Sequence, residues 1–355
     1  MSPSWRNILL ITGATVGAGI FSLPHALRET GVVPFLVLLA LAGYICFRLN
    51  YFLMAVIREV TGTHQLSGYI EKVLGAGWGR ISLFLHIFST FGALIAYTII
   101  GGTFLGTFFG IPQSLGSQLF FLLAGSVIFF AGKKIASFDM LFSVVKFIMF
   151  ILVVIAAMSL PASNHFEAIP AFESFPLKYI GVFLFASAGF TIIPELIREK
   201  GKRSHSLLTA QVLITVLYLV FGVALYGFVN GSGYLFPTPT ATAVFTITGF
   251  VSVFTAYLIL AWVCKDTLEE DLRLNTKLAT GLTIGVPFLA VVSQFGTFIG
   301  VLGFTGGVFL SGTGILLCRS YRVLYPDKYV YENYFVQLFL GATIVLELLR
   351  VAGLR

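Results

Sequence analysis

The sequence predicts an all-α protein that crosses a membrane many times and contains two inverted repeats of five helices each. Hydrophobic residues make up 57% of the 355 positions and charged residues only 10%, a composition that leaves too little polar surface for a soluble domain. Apolar stretches of about 20 residues, the length of one membrane-spanning helix, recur along the chain. A Gly- and Pro-containing motif that returns five spans later predicts the inverted repeat.

Eleven spans are predicted, the first and sixth of them broken. Their approximate bounds are residues 6–28, 33–57, 81–109, 115–132, 137–159, 177–198, 205–229, 243–264, 275–294, 296–318 and 333–352. The first repeat is assigned to residues 1–160, the second to 177–318 and an extra helix to 333–352. Helical spacing of apolar residues in 62–76 predicts a short interfacial helix. The Pro- and Gly-rich residues 231–242 predict an irregular cap on the opposite side.

Lys and Arg are distributed unequally between the loops, sixteen on one side of the predicted spans and four on the other. Because cytoplasmic loops collect basic residues, this places the N-terminus inside and the C-terminus outside. The excess of 22 basic over 15 acidic residues is therefore explained by topology, and no nucleic acid partner is expected. The start of the chain faintly resembles a signal peptide, but we interpret it as the first span. A bacterial or archaeal cytoplasmic membrane is the expected location.

Cysteine and histidine spacing gives no sign of a metal, a cofactor or an enzyme. Cys46, Cys264 and Cys318 fall near helix ends without paired spacing, so we expect free thiols. The five His residues are scattered, and no nucleophile motif is present.

The segments that break the first and sixth spans match each other. Residues 19–29 read GIFSLPHALRE and residues 189–199 read GFTIIPELIRE, with Gly, Pro, Arg and Glu at the same offsets. In a bilayer, broken backbone is tolerated only where it is buried in protein or lines a cavity. The motif pair therefore predicts a binding site at the midplane. The alternative is that the glycines are packing contacts between helices.

The two breaks would offer complementary backbone groups. Bare N–H groups able to receive a carboxylate are expected at Gly17, Ala18 and Gly19. Freed carbonyl groups able to hold an ammonium are expected at Ala186, Ser187, Ala188 and Gly189. A site with N–H groups on one side and carbonyls on the other suits a zwitterion.

Two ionisable residues within the spans are candidates for proton coupling. Lys146 lies about 14 Å from the cytoplasmic end of span five and is interpreted as a proton carrier or a built-in cation replacing bound sodium. The alternative is a lysine that snorkels to the interface. Glu195 would relay protons or line the inner vestibule. His25 is taken as an outer vestibule residue and Arg48 as structural.

Hydroxyl and aromatic residues supply weaker candidates. Ser252 and Thr255, three apart on span eight, would coordinate sodium or accept from Lys146, although such hydroxyls usually bond to the preceding helical turn. Tyr97 and Phe190 are candidate pocket walls, against the alternative that they only pack, since the chain has 37 Phe.

Four segments give the chain a family resemblance. They are GATVGAGIFSLP in span one, GYIEKVLGAGWGRI before span three, VVKFIMFILVV followed by Pro161, and FASAGFTIIPEL in span six. With these the chain resembles the amino acid–polyamine–organocation superfamily of leucine-transporter-type fold, and within it the aromatic amino acid (tryptophan/tyrosine) permease group. The chain is shorter than typical members, and Arg48 and PELIREKGKR do not match the aromatic permeases.

The resemblance implies a proton-coupled transporter of neutral amino acids, aromatic ones included. It implies that the substrate carboxylate binds backbone at Gly17–Gly19 and that carbonyls around Thr15, Phe185 and Ala188 hold the ammonium. It places Lys146 where sodium-coupled relatives bind an ion, near Ser252 and Thr255. Spans one, two, six and seven would rock against the rest.

Three other interpretations stay open at this point. A receptor of the spore-germinant type would bind amino acids without sustained flux. A sodium-coupled transporter would use the hydroxyls of span eight instead of Lys146. A membrane-embedded enzyme is disfavoured by the scattered His residues.

Overall fold

The computed structural model describes residues 3–62, 65–131, 139–160, 169–174, 177–189, 204–230, 233–294 and 296–353. Its α-helices are α1 (Pro3–Thr15), α2 (Leu23–Thr30), α3 (Val32–Glu59), α4 (Leu66–Leu74), α5 (Ala76–Phe109), α6 (Gln113–Ala131), α7 (Asp139–Ser159), α8 (Lys178–Ser187), α9 (Ser204–Leu225), α10 (Pro239–Glu270), α11 (Thr276–Val292), α12 (Phe298–Phe304), α13 (Ser311–Leu324) and α14 (Val330–Val351). Short 3-10 helices cover Ala18–Ser22 and Tyr226–Phe228, and a π-helix covers Thr305–Leu310.

The predicted all-α polytopic membrane fold is confirmed. Within the described residues, six helical stretches are long and apolar enough to cross a membrane, and four shorter apolar helices accompany them. The first span is broken where expected, between α1 and the 3-10 helix at Ala18–Ser22. For the sixth span the structure describes α8 and the residues to Gly189, so Phe190, Glu195 and the second proline motif lie outside the described residues.

The predicted irregular cap at 231–242 is wrong in its details. Strands β1 (Val229–Asn230) and β2 (Gly233–Tyr234) pair antiparallel in this segment. Helix α10 then begins at Pro239, four residues before the predicted span. The Thr238 hydroxyl accepts a hydrogen bond from the Ala241 N–H at 3.2 Å, and a proline suits the first helical position, so the helix starts early.

The tenth span also differs from a plain helix, because a π-helical turn separates α12 from α13. Here Gly306 packs so tightly on the carbonyl of Gly181 in α8 that a Cβ would overlap it. The Ser311 hydroxyl donates to the Gly306 carbonyl at 3.0 Å, five residues back. Small residues thus let α8 and the tenth span approach closely, as in other membrane helix pairs.

We name the two ends of the bundle after the short helix found at each. The α4 end is where α3 and α10 finish and α5 begins, and the α2 end is where α2 finishes and α3 begins. The α2 end is closed by chain crossings, in which the N–H of Val32 donates to the Pro170 carbonyl at 2.9 Å and the N–H of Glu173 to the Thr30 carbonyl at 3.0 Å. An ion pair joins Lys178 to Glu29 at the same end.

Candidate functional site

The break in the first span leaves backbone polar groups in the interior of the bundle. The last i to i−4 hydrogen bond of α1 is donated by the N–H of Val16 to the Thr12 carbonyl at 2.8 Å. Gly17 then adopts a non-helical conformation, and the 3-10 helix begins at Ala18. The first N–H groups of a helix have no acceptor in their own helix. Ala18 and Gly19 therefore present N–H groups in a fully buried position.

Helix α8 ends directly against this break. Its cap residue Ala188 is extended, with φ −82° and ψ 123°. A Cβ on Gly19 would lie 2.8 Å from the Cα of Ala186, so only glycine allows the two backbones this approach. The break in the first span and the end of α8 are therefore in contact. The packing alternative also holds in part, because Gly19 does make a close helix contact.

A tyrosine from α9 connects the two breaks. The Tyr218 hydroxyl donates to the Ala186 carbonyl at 2.6 Å and lies 3.3 Å from the Thr15 carbonyl. Its side chain is fully buried. Sequence reasoning missed this residue, since nothing in an apolar helix distinguishes it among 14 tyrosines.

One cavity of about 90 Å³ lies beside the two breaks. Six of the predicted substrate-binding residues line it, namely Thr15, Gly19, Tyr97, Phe185, Ala186 and Ala188. Of the others, Gly17 contacts the Tyr97 hydroxyl so closely that a Cβ would overlap it, and Gly189 has the same relation to the Thr15 hydroxyl. Ala18 follows Gly17 at the start of the 3-10 helix.

The remaining cavity wall was not predicted. Helix α5 contributes His86, Ser89, Thr90 and Ala93 in addition to Tyr97. The spacing of three, four and seven residues puts these side chains on one helix face. The rest of this wall consists of Leu66, Leu260, Leu310 and Thr313. These α5 residues could have been predicted from the sequence, because they precede Tyr97 at helical spacing on the same face of span three.

The cavity extends from the breaks toward the α4 end. Leu66 belongs to α4 itself, and His86 lies in the first third of α5. Toward the α2 end the breaks are covered by Phe21, whose ring packs against those of Phe104 and Phe221 at centroid distances of 4.9 and 5.6 Å. The Tyr234 hydroxyl donates to the Phe21 carbonyl at 2.6 Å. Access to the site is therefore asymmetric.

Other contacts at the α2 end hold this cover in place. The Arg28 guanidinium donates to the Val229 carbonyl of β1. His25, expected in an outer vestibule, is buried instead, with its ring 5.1 Å from that of Tyr234. In this conformation the β1–β2 pair therefore fills the space that was expected to be an outer vestibule.

Lys146 is buried inside the bundle and does not snorkel. Its side chain is 2% exposed, and Nζ donates to the Gly13 carbonyl at 2.6 Å. The alternative of a lysine reaching the interface is therefore wrong. Lys146 instead fastens α7 to α1, one turn before the break at Gly17.

The two predicted hydroxyl partners behave differently. Thr255 Oγ1 bonds within its own helix, to the carbonyls of Val251 and Ser252 at 2.9 and 3.1 Å. Ser252 Oγ is buried and has no hydrogen-bond partner in the described part of the chain. A bond between Ser252 and Lys146 is therefore not formed in this structure, and Thr255 follows the back-bonding alternative.

Arg48 and the cysteines have surroundings that fit structural positions. Arg48 forms an ion pair with Glu332 at 2.6 Å and stacks over the Tyr329 ring at 4.4 Å, joining α3 to the start of α14. Cys46, Cys264 and Cys318 are buried free thiols. No group of three or more potential metal-ligating side chains occurs among the described residues.

Comparison with known proteins identifies the family to which the chain belongs. The sequence profile described as transmembrane amino acid transporter protein matches residues 2–236, about two thirds of the chain. A search of curated proteins finds no match. A solved structure of a manganese transporter variant from Eremococcus coleocola is similar, with a TM-score of 0.64 and 14% identity, covering 99% of this chain and 86% of that one. That likeness shows the fold, and with the profile match it points to a transporter rather than an enzyme. The chain belongs to the transmembrane amino acid transporter family.

Proposed function

We propose that this protein is a secondary active transporter of neutral amino acids that works by alternating access and is driven by protons. One observation supports it above the others: the two helix breaks meet at one cavity and bring buried N–H groups and buried carbonyls to it. A carboxylate is stabilised by the former and an ammonium by the latter. An α-amino acid carries both groups at the spacing of a single carbon atom.

The cytoplasm is assigned to the α4 end. Ten basic residues of the described chain lie in or beside the loops and helix starts of this end: Arg6, Arg58, Lys72, Arg80, Lys265, Arg273, Lys277, Arg319, Arg322 and Lys328. Three, namely Arg28, Lys178 and Arg350, lie at the α2 end. By the positive-inside rule the N-terminus is then cytoplasmic, in a bacterial or archaeal cytoplasmic membrane. Because the cavity extends toward the α4 end, the conformation described is the inward-facing one.

Lys146 is the proposed proton-coupling residue. An ammonium in the interior of a membrane protein is costly unless it is hydrogen-bonded or paired. Its bond to the Gly13 carbonyl links the charge of Lys146 to the helix that carries the break. Loss of that proton would weaken this bond, because a neutral amine is a poorer donor than an ammonium, and the protonation of Lys146 would thereby be coupled to the position of α1. Glu195 remains a second proton-coupling candidate, and Phe190 remains a candidate pocket wall.

The side chains around the cavity favour an amino acid over a divalent metal. Those described include one imidazole and four hydroxyl groups besides the Tyr97 phenol, and no carboxylate or thiolate. Mn²⁺ prefers carboxylate, carbonyl and water oxygens. The metal named for the Eremococcus coleocola transporter is therefore not proposed here as cargo.

The test is uptake into sodium-free proteoliposomes of a labelled amino acid mixture, with and without an inward proton gradient. We expect accumulation that requires the gradient. Accumulation only after sodium is added would overturn proton coupling. Binding without accumulation under either gradient would favour a sensor, and uptake of Mn²⁺ but of no amino acid would reject the proposed cargo.

The Lys146→Ala variant tests the coupling residue. It should bind amino acids and exchange them across the membrane, yet lose accumulation driven by the proton gradient, because the titrating group is gone. Lys265→Ala is the control, since among the described residues Lys265 forms an ion pair only with Glu269 on its own helix. Gradient-driven accumulation by Lys146→Ala equal to that of the control would contradict the assignment.

A further inference from the structure

The cavity has a second wall whose polar groups are not needed for the amino and carboxyl groups of a substrate. Backbone at the breaks supplies the proposed contacts to those groups. Opposite lie His86, Ser89 and Thr90 of α5, with Thr313 of α13. A substrate held by its backbone at the breaks would direct its side chain toward this second wall.

The hydrogen-bonding state of the second wall is specific. Thr90 Oγ1 donates to the His86 carbonyl at 2.9 Å, and Thr313 Oγ1 donates to the Phe309 carbonyl at 3.0 Å. The protons of these two hydroxyl groups are thus used, so both offer only oxygen lone pairs to the cavity. The His86 ring forms no hydrogen bond with any described residue, and a neutral imidazole offers one donor and one acceptor. The second wall therefore offers a substrate both hydrogen-bond acceptors and a donor that have no partner among the described residues.

The absence of a counter-charge among the described residues and the polarity of the wall limit what can occupy this space. Apart from His86, no ionisable side chain other than the Tyr97 phenol lines the described cavity. An acidic or basic substrate side chain would consequently be buried without a counter-charge, which is costly. The space of about 90 Å³ is flanked by Phe185, Leu260 and Leu310. An aromatic hydrocarbon side chain would pack against these residues but leave the imidazole and the hydroxyl lone pairs without partners.

We infer that the transported substrates are small neutral amino acids whose side chains carry a hydroxyl or amide group, with His86 as the specificity-determining residue. This inference rests on the proposed function and narrows it, and it departs from the aromatic preference that the sequence resemblance implies. The hydroxyl or amide would bond to the imidazole and to the free lone pairs of Thr90 and Thr313. An apolar analogue would leave those groups unpaired and buried.

Threonine and valine are the sharpest pair of probes because they share a shape and differ by one hydroxyl group. Binding of each to the purified full-length protein should be measured by calorimetry or thermal shift, with phenylalanine as the aromatic probe. We expect threonine to bind at least about tenfold more tightly than valine, since sites that hydrogen-bond a substrate group reject analogues lacking it. Phenylalanine should bind more weakly than threonine.

His86→Leu should reduce the threonine-to-valine ratio by about tenfold or more, chiefly by weakening threonine. Ser89→Ala is a second variant with the same expected direction, in case His86→Leu does not fold. Thr107→Val is the matched control on α5, because its exposed hydroxyl bonds only to the Thr103 carbonyl among the described contacts.

A wild-type ratio near one, or a ratio unchanged in both cavity variants, would overturn the inference while leaving amino acid transport intact. Tighter binding of phenylalanine than threonine would do the same and restore the aromatic preference. If no amino acid binds at all, the proposed function fails, and the inference fails with it.

Discussion

Tyr218 shows how one side chain holds the site together. Its hydroxyl contacts backbone carbonyls on both sides of the junction between the broken helices, 2.6 Å from Ala186 and 3.3 Å from Thr15. A buried carbonyl left without a donor costs roughly 1–3 kcal/mol. The residue therefore contributes to the position of both breaks without belonging to either.

Tyr218→Phe should lower both the thermal stability of the purified protein and its amino acid affinity, because the Ala186 carbonyl loses its donor. We expect a loss of about 1–3 kcal/mol in unfolding free energy, followed as a decrease in melting temperature. Tyr226→Phe is the control, since the Tyr226 hydroxyl makes no hydrogen bond with a described residue. Equal melting temperatures for the two variants would show that the bond contributes nothing.

At the scale of elements, the broken first span depends on a glycine contact as well as on missing hydrogen bonds. Gly19 faces the backbone of Ala186, which cannot move aside as a flexible side chain would. Steric overlap at this point would separate the first span from α8 and widen the junction.

Gly19→Ala should therefore abolish or strongly weaken amino acid binding while the protein still folds in the membrane. Gly285→Ala in α11 is the matched control, because a Cβ there meets nothing within 4 Å. It should leave binding unchanged, and the better helix propensity of alanine should leave stability equal or slightly higher. Retained binding by Gly19→Ala would mean that the junction has more room than the structure shows.

The sequence predicted the elements that local chemistry determines. The glycines of the Gly-Ala-Gly segment and Pro24 identified the break, because glycine and proline weaken the interior of a helix. Lys146 was found because a charge in an apolar span is conspicuous. Tyr218 and His86 were missed for the opposite reason, since tyrosine and histidine are unremarkable in such a helix until the helix crossing angles decide what they face. The early start of α10 depends on the Thr238 cap, a short-range signal that was available and overlooked.

At the scale of the whole molecule, the closed α2 end and the cavity toward the α4 end correspond to one state of the proposed alternating-access cycle. The closed end is stabilised by the Phe21 ring contacts, by the Tyr234 bond to the Phe21 carbonyl and by the Arg28 contact with β1. Opening this end requires these contacts to break together. A weakened contact here should therefore shift the population between states.

Tyr234→Phe should raise the population of the state open at the α2 end. One hydrogen bond contributes about 0.5–1.5 kcal/mol, so the expected change is about two- to tenfold. Labelling of a His25→Cys variant by a membrane-impermeant maleimide measures it, since His25 is buried against Tyr234. The native cysteines are buried and give a low background. If the variant carrying both Tyr234→Phe and His25→Cys were labelled at the same rate as His25→Cys alone, this role for Tyr234 would be contradicted.

The junction at Tyr218 has an uneven balance of hydrogen-bond donors and acceptors. A phenol has a single proton, and the shorter distance shows that Ala186 receives it, so the Thr15 carbonyl keeps its outward lone pair. An ammonium group carries three N–H donors. A substrate that brings hydrogen-bond donors of its own therefore restores this balance best.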